Sequence, residues 1–461
     1  MSTRLPTATD EEVGFQPAPA RLAPGISLPG KQLRTGGDYL SVTPDVPRAD
    51  EPPTGVPNRF NPIIILLTGW LAQVAPGGLQ QAVESARKKL PEFMDKVPIR
   101  NEGGFIKFAN DLLKWVPHEN FEGRNIYEVL GLFYFILDQP PLIDLQTKIS
   151  PDQIGQDLTW LSSWLVVYAQ LVGLHMDAPT SLTHASLQSF KDSPSYRYGE
   201  ALVPDRGFRT FNEFFSRHLK PGMRPISAPL EDTVIVYPAD CTYSNADSPN
   251  AFAVQAGGVV DIKGVQWSIS GLLQGSAYAG AFDDGIWMHA FLNTFNYHRQ
   301  HAPVAGTVLE AINIQGAAYL EVDTKGDLIR QLAPPEGQEP EVEDAPGYQF
   351  LQTRGLVVID NPVVGKVAVL PIGMAQVSSV RLSVQEGDIL CKGDEISTFA
   401  FGGSDIICVF QRQAGLTVDD LVPSPKGTYS RYGTTLAQAK PKRGQNDGSE
   451  DGGTRNGGDH A

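Results

Sequence analysis

Hydrophobic periodicity changes once along this chain, near Pro204, and that change limits what the chain can fold into. Before it, apolar residues recur at helical spacing: Tyr127, Leu130, Phe133 and Leu137 share one face of a predicted helix, Ile126–Leu137. Gln80–Leu90, stopped by Pro91, and Phe105–Trp115 read the same way. Ser150, Pro151 and Gln153 supply a cap, a first-turn proline and a glutamine that bonds back to the cap, which predicts one long helix from there to about Leu174. Beyond Pro204 the pattern is one of short Val- and Ile-rich runs between Gly, Pro and Asp turns. They predict strands at Thr233–Val236, Val259–Ile262, Gly306–Ile314, Leu356–Ile359, Lys366–Ile372, Val377–Val384 and Asp405–Gln411. The fold class is therefore α+β, a helical N-terminal domain followed by a mainly β domain.

The flanks have another character. Residues 1–58 are rich in Pro, Gly, Thr and Asp and carry few large apolar groups, so ordering them would cost more entropy than their burial returns. We expect a disordered arm at 1–58, a helical domain at 59–200, the β domain at 205–434 and a disordered tail at 435–461. Ala333–Gly347, with its prolines and acids, predicts an exposed loop. The glycine turns at Gly387 and Gly393 predict hairpins just before the last strand.

Charge narrows the function. A formal net charge of −15 over 461 residues argues against a nucleic-acid partner and against general attraction to anionic membranes. Three widely spaced cysteines, Cys241, Cys391 and Cys408, indicate neither a disulfide framework nor a zinc site and suit a reducing compartment. No basic start and apolar run of a signal peptide opens the chain, so a cytoplasmic location is expected. Ile63–Val74 is too short to span a membrane and Leu158–Leu174 is interrupted by Thr159, Ser162, Ser163 and Gln170. Both read as core helices, and membrane contact is not expected.

Phe401–Phe410 carries the sharpest chemical signal. Gly402, Gly403 and Ser404 place a hydroxyl beside a peptide carbonyl that no Cβ shields, in a backbone free to adopt strained angles. Taken alone it is a Gly-rich turn. His298 and His301, three apart in Tyr-His-Arg-Gln-His, suit paired acid–base work, whereas a metal site would need further ligands at close spacing, so no metal is expected. Asp240, ending a Val-rich strand in Pro-Ala-Asp, is by itself a turn residue, yet with a histidine and Ser404 it completes the inventory of an activated serine.

Those residues sit in five ordered blocks: Thr210–Pro225, Pro238–Asp240, Ile262–Gly264 with Trp267 and Ser268, Asn296–Gly306, and Lys392–Glu395 leading to Phe401–Ser404. In these blocks the chain resembles the phosphatidylserine decarboxylase family, and its long helical N-terminal part is similar to the soluble fungal branch that includes an L-tryptophan decarboxylase. The resemblance implies a β catalytic domain of that type, and a chain that cuts itself between Gly403 and Ser404 to leave a pyruvoyl cofactor at position 404. It implies that His301, oriented by Asp240, activates Ser404 to attack the Gly403 carbonyl, and that His298 serves the decarboxylation. With no spanning segment or basic run near these blocks, the leading substrate class is a free amino acid, aromatic ones such as tryptophan included, and the cleaved C-terminal fragment, residues 404–461, stays as a partner. Two alternatives stay open: a phosphatidylserine decarboxylase, and an unprocessed binding protein of the same fold. Oligomeric state is open too. The chain departs from the family pattern at Asp405, where Ser or Thr is usual, and at Asn296, where Asp is usual. Asp405 is thereby expected to modulate the site, by holding His301 charged or by binding a substrate ammonium.

Overall fold

The computed structural model describes residues 60–245, 249–320, 347–375, 379–401 and 404–441, and of 324–325, 328–329 and Ser404 the backbone alone. The expected N-terminal arm and the loop at 333–346 lie outside the described residues, as do most of the C-terminal tail and Val377 and Ser378 of one predicted strand.

The first half is helical: α1 (Pro62–Val74), α2 (Gly78–Lys89), α3 (Pro91–Lys96), α4 (Glu102–Leu112), α5 (Asn125–Leu137), α6 (Trp160–Met176) and α7 (His184–Asp192). Asn61 caps α1 by accepting from the Ile63 N–H at 3.1 Å, and Pro62 follows at the first helical position, where its missing N–H costs nothing. Helix α5 is buried on nearly every side, its ring of Phe133 stacked on Tyr168 of α6 at 4.9 Å. The long helix expected from Ser150 is corrected. Pro151–Gln153 makes a single tight turn, Gly155 follows at φ 75°, and α6 starts only at Trp160 under a Thr159 cap. A left-handed residue cannot continue a right-handed helix. Among the described residues no single helix is long and apolar enough to cross a membrane; α1 and α2 pass such a test together but bend by 96°.

A short helix, α8 (Phe211–Phe215), then leads into strands β1 (Val234–Val236), β2 (Ala251–Ala253), β3 (Val259–Ile262), β4 (Val265–Ser268), β5 (Ile286–Leu292), β6 (Arg299–His301) and β7 (Gly306–Ile314). The chain continues through β8 (Thr324–Lys325), β9 (Leu328–Ile329), β10 (Arg354–Asn361), β11 (Gly365–Gly373), β12 (Val380–Leu382), β13 (Ile389–Leu390), β14 (Glu395–Phe399), β15 (Ser404–Phe410) and β16 (Thr435–Gln438). The main antiparallel sheet has the order β13-β7-β10-β11-β15-β5-β2, and β12-β14-β6 form a second sheet. Strand β15 is internal and covered on both faces. Ile406, Cys408 and Phe410 belong to the large core that also includes the helices, while Ile407 and Val409 belong to a second core with Trp287 and Phe350. That explains why it reads as an unbroken apolar run rather than an alternating one.

Three strand expectations change. Residues from Thr435 pair in β16 with β1, because Leu436 and Ala437 are buried there, so the tail does not begin at 435. The turns at Gly387 and Gly393 are present, both at φ 91°, but they hand the chain between sheets instead of closing hairpins: β13 pairs with β7, and β14 with β12 and β6. Strands β5 and β6 have no counterpart among the predicted runs, although β5 is the neighbour of β15 through seven residue pairs.

Candidate active site

Position 404 opens β15. Its backbone pairs with Leu292 of β5 on one side and Gly373 of β11 on the other. Just upstream, Phe401 is buried in a nest of aromatic rings: Trp115 from the helical half at 5.6 Å, Phe211 at 5.2 Å and Phe215 at 5.7 Å. Its N–H donates to Asn212 Oδ1 at 2.8 Å, and Asn212 in turn donates to Asp177. The approach to the Gly-Ser bond is thus held by α8 and the helical half together.

His298 adjoins this nest. Its ring lies on Phe215 at 3.9 Å, wholly buried, and neither ring nitrogen makes a hydrogen bond of good geometry among the described residues, although the Asn293 and Asn296 carbonyls act on it. Burial pulls its pKa well below the ordinary histidine value, and the nearby Arg217 charge pushes the same way, against weaker help from the Asn293 and Asn296 carbonyls. A neutral imidazole with open donor and acceptor positions is suited to exchanging a proton with a guest.

His301 is differently placed. Its Nδ1 bonds the Gly393 carbonyl at 2.8 Å, and since a carbonyl only accepts, Nδ1 carries the hydrogen. The bare Nε2 then accepts the Tyr297 hydroxyl at 3.1 Å. Burial lowers its pKa to about 4, partly opposed by the Gly393 bond, so the ring is neutral at pH 7. Gly393 is glycine for a reason: at φ 91° an added Cβ would meet Ile226 at 2.5 Å. Lys392 beside it donates to the carbonyls of Ala228 and Glu231, both at 2.8 Å.

Asp240 does not reach His301 in the way expected. Arg224 Nε donates to its Oδ1 at 2.9 Å and Nη2 to its Oδ2 at 2.5 Å, and the Tyr432 N–H donates to Oδ1 at 3.0 Å. A buried carboxylate is better satisfied by a fixed guanidinium fork than by a neutral ring. The link to His301 runs through the Tyr432 side chain, stacked on the imidazole at 3.7 Å and 1°. Asp240 therefore positions His301 indirectly, and the Gly393 carbonyl sets its tautomer. Arg224 sits in the quoted Thr210–Pro225 block, so the partner was present in the sequence, yet nothing in the spacing paired it with Asp240.

Asp405 faces away from both histidines of the Tyr-His-Arg-Gln-His motif. Its Oδ2 accepts from Tyr348 at 2.6 Å and from His289 Nε2 at 3.1 Å, under the second core. The expectation that it holds His301 charged is corrected by strand alternation, which sends odd positions of β15 to the other side of the sheet. Its Oδ1 has no partner among the described residues. His289 stands out in the sequence as a third histidine of the β half beside His298 and His301, but nothing there pairs it, or Tyr348, with Asp405, because β5 is not among the predicted runs. Among the described residues no group of three or more His, Cys, Asp and Glu is arranged to hold a metal ion.

A family model described as phosphatidylserine decarboxylase matches residues 211–438. Decarboxylase iboD of Amanita muscaria is 30% identical over 249 residues, covering 50% of this chain and 68% of that protein. The chain belongs to the phosphatidylserine decarboxylase family. Within the family it is 34% identical over 248 residues to phosphatidylserine decarboxylase proenzyme 2 of rice, 52% of this chain but 36% of that one. It is 28% identical over 245 residues to the L-tryptophan decarboxylase of Psilocybe cubensis, 52% of this chain and 54% of the relative. The chain thus spans about a third of the rice protein and about half of the Psilocybe one. All these matches cover about half of this chain. The family's blocks are the ones that meet here: Arg224 on Asp240, Gly393 on His301, Phe215 on His298 and Phe401.

Proposed function

We propose that this family member is a pyruvoyl-dependent decarboxylase that cuts itself between Gly403 and Ser404 and acts on a free, aromatic amino acid such as tryptophan. The observation that carries the reading is His298: buried, neutral, without a hydrogen-bond partner among the described residues, and one ring away from Phe401. Buried imidazole nitrogens are ordinarily hydrogen-bonded, as those of His301 are, so an open one leaves room for a guest.

The residues fit a pyruvoyl group at position 404. The position is an internal strand start preceded by Gly402 and Gly403, and an imidazole without a hydrogen-bond partner among the described residues lies one aromatic ring from Phe401. When present, the group supplies a ketone that takes up a substrate amine and draws electrons from the breaking carboxylate bond, which no ordinary side chain does. His301, with its Nδ1–H fixed on Gly393, has Nε2 as the basic nitrogen, so it is the base proposed for the Ser404 hydroxyl during cutting, with Tyr297 as the intermediary of that proton. Asp240 holds Tyr432, and through it the plane of His301. His298 exchanges the proton that replaces the departing carboxylate. The aromatic nest excludes water from the site. As partners we propose the amino-acid substrate and the retained fragment of residues 404–461, in the cytoplasm.

A second reading, phosphatidylserine as substrate, is favoured by one feature. Helix α1 exposes Ile65, Leu66 and Val74 beside an exposed Trp160, whose ring stacks on Trp70 at 4.2 Å, an apolar face of the sort that meets a lipid interface. Carbon dioxide release from tryptophan, phenylalanine and tyrosine, measured against release from phosphatidylserine vesicles, separates the readings. Release from vesicles alone overturns the first. Denaturing mass spectrometry tests both: two pieces are expected, the smaller beginning at position 404, and a single full-mass species indistinguishable from Ser404→Ala defeats the enzyme reading.

A further inference from the structure

Three arginines are buried in the β half among the described residues: Arg224 is paired with Asp240, and the other two are treated differently. Arg354, 1% exposed, spends all three nitrogens on main-chain carbonyls: Nε on Leu272 at 2.7 Å, Nη1 on Gln352 at 2.7 Å and Nη2 on Gly271 at 2.9 Å. That is how a structural buried guanidinium is satisfied. Arg217, 4% exposed, uses only Nη2, on the carbonyls of Tyr196 and Phe295 at 3.1 Å each. Its Nε and Nη1 find no acceptor among the described residues, and no carboxylate there pairs with it. Leaving charged donors unmet in a buried site costs free energy unless a guest meets them.

Arg217 lines a cleft with Arg197, Arg224, Glu200, Asp240 and Tyr429. The two acids there are already committed: Asp240 to Arg224, and Glu200 to Arg224 at 2.8 Å and Arg431 at 3.4 Å. With three arginines facing two engaged carboxylates, the cleft carries surplus positive charge, concentrated on Arg217. The cleft also lies close to position 404. Phe295, which Arg217 holds, follows three residues after Leu292, the partner of Ser404, across a turn closed by the Asn296 N–H on the Asn293 carbonyl, so at most about 10 Å of chain separates them. The Arg217 charge reaches the buried His298 as well.

We propose that Arg217 is the anion anchor of the substrate, its free Nε–H and Nη1–H groups receiving a carboxylate or a phosphodiester oxygen in this cleft. The carrier of that anion rests on the decarboxylase reading; the anion site itself does not. An anchored anion holds the bound substrate in one orientation with His298 nearby, so the same residue selects for acid-bearing substrates and orients them.

The test follows the melting temperature of the full-length chain during titration with inorganic phosphate and with acetate at constant ionic strength. A saturable rise is expected in the wild type, displaced at least about tenfold to higher concentration in Arg217→Gln and unchanged in Arg412→Gln, an exposed arginine far from the cleft. A linear, non-saturating response in the wild type, or equal saturation in Arg217→Gln, overturns the proposal. If Arg217→Gln does not fold, Arg197→Gln at the partly exposed mouth is expected to weaken the response about threefold, and an unaltered titration there overturns the proposal. L-tryptophan saturating where tryptamine does not marks a carboxylate guest; glycerophosphoserine saturating at lower concentration than L-tryptophan marks a phosphodiester. Turnover adds an independent arm: KM is expected to rise at least about tenfold in Arg217→Gln with cutting before position 404 intact. A chain that binds anions yet releases no carbon dioxide defeats the decarboxylase reading alone; a chain that turns over with the same KM in Arg217→Gln defeats this one alone.

Discussion

The corner around His301 and the pocket around His298 lie three residues apart on one strand edge, and they are built on opposite principles. At His301 every polar group is engaged: Nδ1 on Gly393, Nε2 on Tyr297, and Asp240 closed by Arg224 and the Tyr432 N–H. At His298 the imidazole has no partner among the described residues, and Arg217 nearby keeps two nitrogens unmet. A satisfied network is rigid and holds one geometry, which suits the single cutting event proposed above. An unsatisfied one is costly to keep and useful only when a guest completes it, which suits repeated turnover. The difference teaches that two histidines three apart in one motif need not share a task.

The sharpest way to break that comparison is to remove each histidine. His301→Ala is expected to stay uncut, while His298→Ala is cut but decarboxylates at least about 100-fold more slowly; mass spectrometry and carbon dioxide release read the two. Normal cutting in both variants would end the division of labour. Next in size is the buried pair. Arg224→Met strands the Asp240 carboxylate and is expected to cost about 3–5 kcal/mol in urea unfolding, with Arg224→Met/Asp240→Asn recovering part of the loss. A cost under about 1 kcal/mol would show that Asp240 is not held as the geometry implies. Asp405→Asn tests the opposite face of β15: a loss of about 1–3 kcal/mol from the His289 and Tyr348 bonds, with cutting preserved. Abolished cutting there would restore the direct tie to His301 that strand alternation argues against.

The smallest change expected from a single variant is in the pH slope. His298, His301 and the buried His175 all have folded pKa values below the unfolded 6.5, the last two at about 4. The unfolded chain therefore binds protons first as pH falls. Stability is complete above about pH 6.5 and declines toward pH 4, by up to about 1.4 kcal/mol per pH unit for each histidine. His301→Gln is expected to flatten the slope by roughly one histidine's share, as read from urea midpoints between pH 7 and pH 5. An unchanged slope would mean that His301 takes up its proton in the folded state.

Much of this was legible in residue order because its causes are local. Helix α5 matches its apolar spacing, and β7 and β15 match their Val- and Ile-rich runs, since period and propensity act within one element. Strand β5, Ile286–Leu292, escaped because Trp, Met and His interrupt the β-branched pattern, and its strand character comes from lying between β15 and β2. The helix opening at Ser150 failed because the Ser150 hydroxyl bonds Asp152 instead of capping, and Gly155, five residues on, is left-handed.

For the site, residue order alone named Gly403, Ser404, His298, His301 and Asp240, since chemistry restricts which residue types can serve and the blocks carry them together. Partnership was decided only by tertiary structure. Arg224 rather than His301 closes on Asp240, Gly393 sets the His301 tautomer, His289 and Tyr348 take Asp405, and Arg217 is left short of acceptors. The reason is physical: a buried charge goes to whichever donor the fold brings within 3 Å, and the pairing of strands across the sheets, not distance along the chain, decides which donor that is.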